Sequence, residues 1–162
     1  MPEVISNTSP LQYLHQTGLL DLLPAMYGAV TIPMAVAEEI ERGIELGIAL
    51  PRVGEIPWLH VRAPEHRRLL IMVTDLDAGE REVLALATET PDSLVLIDDS
   101  WARRSADLLR IKYTGTLGVI VKAKRRGLVP DVRTVIDRLE LLHFYLDAAT
   151  RTRVLRMAEE SP

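Results

Sequence analysis

The chain has 162 residues, with 19 basic and 23 acidic side chains and therefore a formal net charge of −4. Hydrophobic residues make up 48% and charged residues 26%, a balance typical of a globular protein that excludes a disordered chain. The lack of cysteine excludes a disulfide framework, a thiolate zinc site and a cysteine nucleophile. We expect one cytoplasmic domain over residues 1–162 with no membrane contact, since neither a signal peptide nor a membrane-length apolar run is visible.

The first half of the chain alternates between short predicted strands and helices. The first elements are a strand at 4–6 and one or two helices over 11–23 that break near Gly18 and end at Pro24. A strand at 29–32 follows, and then a helix from Pro33 to about 42 with Gly43 as its stop. After these come a loop over 47–57, a short strand at 58–61 and a helix over 65–73.

The second half continues this alternation and closes on helices. It predicts a helix at 77–89, a strand at 93–97, a helix at 100–110, a strand at 112–114, a helix at 117–126 and, from about 132, a helical C-terminal extension interrupted near 144–147. Strands that alternate with helices form parallel sheets covered on both faces. The predicted fold class is therefore α/β, a three-layer α/β/α sandwich with a small parallel sheet.

Functional groups in such sheets lie beyond the carboxyl ends of the strands, which directs attention to Asn7 and to Asp98-Asp99. A helix cap before Ser100 would account for one of the two aspartates and leave the other unexplained. Two adjacent carboxylates repel each other unless a cation or a cluster of donors lies between them. Capping alone and cation binding both remain open for this pair, and for Asn7 an ordinary turn or cap role is the competing explanation.

Two glutamates lie at the inner border of predicted helices. Glu80 completes a capping box with Asp77 and also begins the core-facing stripe of its helix, so it either closes the box or meets a positive charge. Glu39 borders the face that Val36 defines, whereas Glu38 points towards water. If these acids meet at one sheet edge, they cannot all stay ionised without a divalent cation. Oxygen ligands favour Mg²⁺ or Mn²⁺, and this predicts phosphodiester hydrolysis by metal-activated water.

Basic side chains cluster in two later helices. Arg103 and Arg104 belong to one, and Lys122 and Lys124 lie near the end of the other. Contact with a phosphate backbone would explain both pairs, and stabilisation of a helix C-terminus by cations is the alternative for the lysines.

The order of these positions resembles that of PIN-domain nucleases, the fold of VapC-type toxins in toxin–antitoxin pairs. The matching stretches cover most of the chain between about residues 4 and 129: ISNTSPL, TIPMAVAEEI, DAGEREVLALA, LVLIDDSWARRSA and GTLGVIVKAKRRGLV. The resemblance implies a Mg²⁺- or Mn²⁺-dependent ribonuclease, an RNA substrate, an antitoxin protein as partner and a homodimer. It also implies catalytic roles for five polar residues: Asn7, Glu39, Glu80, Asp98 and Asp99. All of these except Asp98 match positions of metal ligands in the family.

Asn7 departs from the pattern of this family. It falls where the family usually has an aspartate, and an amide oxygen carries no charge with which to hold a cation. A catalytically weak or inactive module that binds RNA or a protein is therefore the alternative to a ribonuclease.

Overall fold

The computed structural model describes residues 2–66 and 75–162. Its strands are β1 (Glu3–Ser6), β2 (Val30–Ile32), β3 (Leu59–Val61), β4 (Ser93–Leu96) and β5 (Lys112–Thr114). Its helices are α1 (Thr8–Gln16), α2 (Leu22–Tyr27), α3 (Met34–Glu45), α4 (Ala78–Glu89), α5 (Ser100–Leu108), α6 (Thr116–Arg125), α7 (Val132–Leu141) and α8 (Ala148–Met157). The strands form one sheet in the order β3-β2-β1-β4-β5, and every pair of neighbours is parallel.

The centre of this sheet is covered on both faces. Consecutive strand residues point to opposite sides of a sheet, yet Val95, Leu96 and Ile97 are all fully buried. The same holds for Val4 and Ile5 in β1. The predicted α/β fold with helices on both faces of a small parallel sheet is therefore confirmed.

The strand order reverses between β1 and β4. From β1 the chain proceeds outward through β2 to β3, and β4 returns to the other side of β1 before β5 follows. Ser6 pairs with Leu96, and the Asn7 N–H donates to the Leu96 carbonyl over 3.0 Å. Asn7 and the two aspartates after Leu96 thus flank the switch point, where parallel sheets bind their ligands.

Two prolines that the sequence pattern places outside helices lie inside them. Helix α1 begins at Thr8, so Pro10 belongs to its first turn, and Pro24 lies in the first turn of α2 rather than ending a helix. The first N–H groups of a helix have no partner within it, and for this reason proline is tolerated there. The predicted break at Gly18 is confirmed by its positive φ of 73° between the two helices.

Gly43 was predicted as the stop of α3, and this is wrong. The helix continues to Glu45, and Gly47, with a φ of 85°, follows its end. A Cβ at position 43 would collide with the δ carbon of Leu50. Gly43 therefore serves the close packing of the following loop against the helix.

Within the predicted loop over 47–57, Val53–Glu55 forms a short 3₁₀ turn. The helix predicted over 65–73 falls mostly outside the described residues, and the two that are described, Glu65 and His66, are not helical. No helix of the described ranges is long and apolar enough to cross a membrane.

The C-terminal helices are tied to the rest of the fold through Glu160. Its carboxylate accepts the backbone N–H groups of Val132 at 2.7 Å and Arg133 at 3.1 Å, and it lies 3.4 Å from the Lys124 ammonium. It thereby supplies a cap to the start of α7 from the end of the chain.

Replacing Glu160 should therefore destabilise the start of α7. We expect Glu160→Ala to lower the free energy of unfolding by about 1–2 kcal/mol, because the Val132 N–H loses its charged acceptor and the Arg133 N–H keeps only Asp131. Urea unfolding measures this loss. Glu41→Ala, which removes an exposed glutamate from α3, is the control and should change little; equal effects of the two substitutions would contradict the assignment.

Candidate active site

Asn7 carries a buried oxygen that nothing in the described part of the chain satisfies. The residue precedes α1 and is only 7% exposed, but its side chain does not cap the helix. Its Oδ1 is buried without a hydrogen-bond partner among the described residues. A buried acceptor left unpaired costs about 1–3 kcal/mol. Such a group in a native protein calls for an explanation, and a ligand that coordinates the oxygen is one.

The carboxylate of Glu39 lies beside this oxygen, and a glycine makes the approach possible. A Cβ at Gly79 would stand 2.9 Å from Glu39 Oε2 and 3.3 Å from Asn7 Oδ1. The two oxygens therefore lie over the same α-carbon, in the first turn of α4. Glu39 is half-buried, whereas its neighbour Glu38 is exposed, as the helical periodicity predicts.

Burial raises the pKa of the Glu39 carboxyl, and the negative charge of Asp77 adds to the rise. The Thr8 hydroxyl and the Arg42 guanidinium act in the opposite direction. The Thr8 hydroxyl lies close enough to Glu39 to lower the pKa of that carboxyl. The buried Thr8 Oγ1 nevertheless forms no well-aligned hydrogen bond with any group of the described residues. Asn7 and Thr8 thus contribute two unpaired polar atoms beside one half-buried carboxylate.

Glu80 closes the predicted capping box and is also buried. The Asp77 N–H donates to Glu80 Oε1 at 3.0 Å, and the Glu80 N–H donates to Asp77 Oδ1 at 2.8 Å. Burial raises the pKa of Glu80 from its ordinary value of 4.5 to about 7, and the charges of Asp77 and Asp99 contribute to the rise. Asp99 is thus a predicted ligand whose charge acts on the pKa of Glu80.

The two adjacent aspartates have different structural partners. Asp99 caps α5 by accepting the Ala102 N–H at 2.9 Å. Asp98 accepts the Thr116 N–H at 2.8 Å and the Thr116 hydroxyl at 2.7 Å, and it thereby caps α6. The expectation that capping would leave one aspartate unexplained is therefore wrong.

Asp98 is directed towards a different set of neighbours from Asp99. Burial raises its pKa, and the Arg103 guanidinium counteracts this. Burial raises the pKa of Tyr13, and the charge of Asp98 adds to this rise. Arg103 donates to the Ile97 carbonyl at 2.9 Å and occupies the space that a Cβ at Gly115 would take. Asp98 and Arg103 thus hold the starts of α5 and α6 in place.

The other basic residues predicted to contact RNA are widely separated. Lys124 donates to the Pro130 carbonyl at 2.7 Å and lies near Glu160, and the Lys122 ammonium lies 5.3 Å from the centre of the Tyr27 ring. Both follow Thr116 by about 9–12 Å along α6. Arg104 is exposed and lies within two turns of the Asp99 cap.

The structure thus brings one pair of predicted residues together, since the side-chain oxygens of Asn7 and Glu39 both lie over Gly79. Glu80 is the next residue after this glycine, and the charge of Asp99 acts on its pKa. Within the described ranges, no three histidine or acidic side chains form a group that could hold a metal ion. The donors present, an unpaired amide oxygen and carboxylates, are nevertheless the chemical type that a hard divalent cation prefers.

Two residues that shape the site carry little signal in the sequence. Gly79 lies inside the capping-box sequence, and only its cost of about 1 kcal/mol relative to alanine in a helix signals a close approach. Nothing local links Thr116 to Asp98, 18 residues earlier.

Gly79→Ala should displace Glu39 without unfolding the protein. The new methyl group would lie 2.9 Å from Glu39 Oε2 and 3.3 Å from Asn7 Oδ1, so the mobile end of the Glu39 side chain must shift. We expect the melting temperature to change by only a few degrees, while metal affinity and any metal-dependent activity fall by about tenfold or more. Gly54→Ala is the control, since nothing lies within 4 Å of a Cβ there. Unchanged metal affinity in Gly79→Ala would contradict the proximity of these oxygens to a cation.

The raised pKa of Glu80 predicts a pH dependence of stability in the metal-free protein. Between pH 4.5 and about 7 the folded state retains a proton that the unfolded state has lost, so stability should fall as pH rises through this range and then level off. Glu80→Gln keeps an acceptor for the capping box and should flatten the profile. Thermal melts from pH 4 to 8 measure this, with Glu38→Gln as the exposed control. Identical slopes in wild type and Glu80→Gln would contradict the assignment.

Comparison with known proteins supplies the family. A family model described as PIN domain matches residues 3–160, nearly the whole chain. No curated protein and no solved structure matches this chain. PIN domains are generally nucleases that act on nucleic acids and use divalent metals. With its parallel sheet and the acids at the carboxyl edge, the chain belongs to the PIN-domain family.

Proposed function

We propose that this protein is a divalent-metal-dependent ribonuclease that uses Mg²⁺ or Mn²⁺. The observation that carries the proposal is the buried, unpaired Oδ1 of Asn7 lying beside the Glu39 carboxylate over Gly79. Asn7, Glu39, Glu80 and Asp99 are the residues we propose to hold the cation. Membership of the PIN-domain family supports nuclease activity in general.

Glu80 is the residue whose protonation should control cation binding. A divalent cation would supply a water of lowered pKa and neutralise phosphate charge. Glu80, whose pKa burial raises to about 7, would have to lose its proton to hold the cation, so metal affinity should rise with pH through neutrality. A pocket of about 330 Å³, whose lining includes Glu39, Arg42 and Gly79, opens the Glu39 side of the proposed site to solvent.

Asp98 has a positioning role in this proposal. Its two bonds to Thr116 fix the start of α6 against the end of β4. We propose that this also fixes the neighbouring Asp99, which caps α5 through the Ala102 N–H. Asp98 was grouped with the catalytic residues on its sequence position, and its partners favour this structural task instead.

A second candidate function follows from Asn7. An amide oxygen lacks the charge of the aspartate that is usual in the family and binds a cation more weakly. A catalytically weak module that binds RNA or a protein is the resulting alternative, and it differs from the first proposal in what Asn7→Asp should do.

Cleavage of a labelled RNA in Mg²⁺ or Mn²⁺ tests the proposal. The wild-type protein should cleave, chelation should abolish cleavage, and Glu39→Gln and Glu80→Gln should each lower the rate more than about tenfold, since even outer partners of a metal have effects of that size. Glu38→Gln, one residue away and exposed, should retain the wild-type rate.

The outcomes separate the two candidates. An inactive wild type that becomes active as Asn7→Asp would favour the weak-module alternative. Cleavage that survives chelation or that Glu80→Gln leaves unchanged would contradict the metal-dependent mechanism.

The resemblance to VapC-type toxins adds finer proposals. We propose that the ribonuclease is a cytoplasmic homodimer, inhibited by an antitoxin protein as the toxin of a toxin–antitoxin pair. Expression of the wild type should then arrest growth and Glu80→Gln should not. Equal growth of both strains at equal protein levels would contradict a toxin role.

A further inference from the structure

A tryptophan lies exposed near the start of α5, the helix that Asp99 caps. Trp101 is the second residue of α5, two positions after the Asp99 cap, and it is 55% exposed. Burial of a tryptophan is worth more than that of almost any other side chain. Here Ala102 and Ala106 form the buried face of α5, and the indole lies outside it. The core of the protein therefore does not account for Trp101.

The positively charged side chain of Arg104 lies against the indole ring. The guanidinium carbon of Arg104 lies 4.8 Å from the centre of the Trp101 ring, at the distance of a cation–π contact. Arg104 is itself exposed. The pair thus offers solvent a flat aromatic surface next to a positive charge.

This chemistry suits an unpaired nucleotide. Bases freed from a duplex stack on aromatic side chains, and arginine adds a contact with phosphate or with the base plane. We propose that Trp101 and Arg104 form a stacking platform that binds an unpaired base of the substrate beside the site of cleavage. The inference rests on the proposed ribonuclease function and adds the residues that hold the RNA.

A protein-binding stripe is the competing explanation for exposed apolar residues on α5. Leu108, seven residues after Trp101, is 86% exposed. It lies about 10 Å further along the helix, and Arg104 separates it from the indole in sequence. The charge stacked on the indole and its position next to Asp99 favour nucleic acid.

Fluorescence of the indole tests the platform directly. The chain has two tryptophans, and Trp58→Phe leaves Trp101 as the sole reporter. In EDTA, which excludes cleavage, a single-stranded 12-nucleotide oligouridylate should quench its emission saturably. The duplex of that strand with oligoadenylate should quench much less, because its bases are already stacked.

Matched variants convert this signal into an affinity. Binding of fluorescently labelled oligouridylate should weaken by about 5- to 150-fold in Trp101→Ala, the range that corresponds to loss of one stacking contact. Leu108→Ala should bind as the wild type does. Trp101→Phe, which keeps an aromatic face, should recover most of the affinity.

Failure of this inference can be told apart from failure of the nuclease proposal. Wild-type RNA affinity in Trp101→Ala, or no quenching by oligouridylate, would overturn the platform even if metal-dependent cleavage is intact. A change in sedimentation of both Trp101→Ala and Leu108→Ala without a change in RNA affinity would assign the stripe to protein contacts and overturn it as well. Quenching without any cleavage would support the platform and count against the nuclease.

Discussion

The parallel pairing of β1 with β4 is the constraint on which the candidate site depends. Ser6 pairs with Leu96, and the next residue, Asn7, donates its N–H to the carbonyl of Leu96. This register brings the end of β1 alongside the two aspartates that follow β4. Because the strand order reverses here, the loops diverge and leave a crevice at the carboxyl edge. A shift of one residue would turn Asn7 to the other side of the sheet.

The same edge collects helix N-termini, and this explains how so many acids coexist there. Asp99 caps α5, Asp98 caps α6, and Glu80 shares a capping box at the start of α4. The positive ends of these helices stabilise negative charge without a metal ion. Repulsion between adjacent carboxylates is therefore weaker evidence for a cation than the sequence suggests. Asn7 is stronger evidence, because its oxygen has no partner among the described residues.

Sequence patterns predict the features of the fold that depend only on residues close together in the chain. The alternation of strands and helices indicates the sheet, and the helical period correctly separates half-buried Glu39 from exposed Glu38. The roles of Gly43 and Gly79 could not be read in this way, because each depends on contacts with side chains distant in sequence or in another element. The bond from Asp98 to Thr116 requires β4 to lie beside β5, and strand order is not encoded in periodicity.

The most direct test of the proposed metal site is anomalous diffraction from crystals grown with Mn²⁺, which locates the cation without reference to any activity. We predict one manganese peak at the carboxyl edge between β1 and β4, coordinated by Asn7 Oδ1 and Glu39, with Glu80 and Asp99 completing the site. Crystals saturated with Mn²⁺ that show no peak there, with the amide oxygen of Asn7 hydrogen-bonded to protein or water instead, would contradict it.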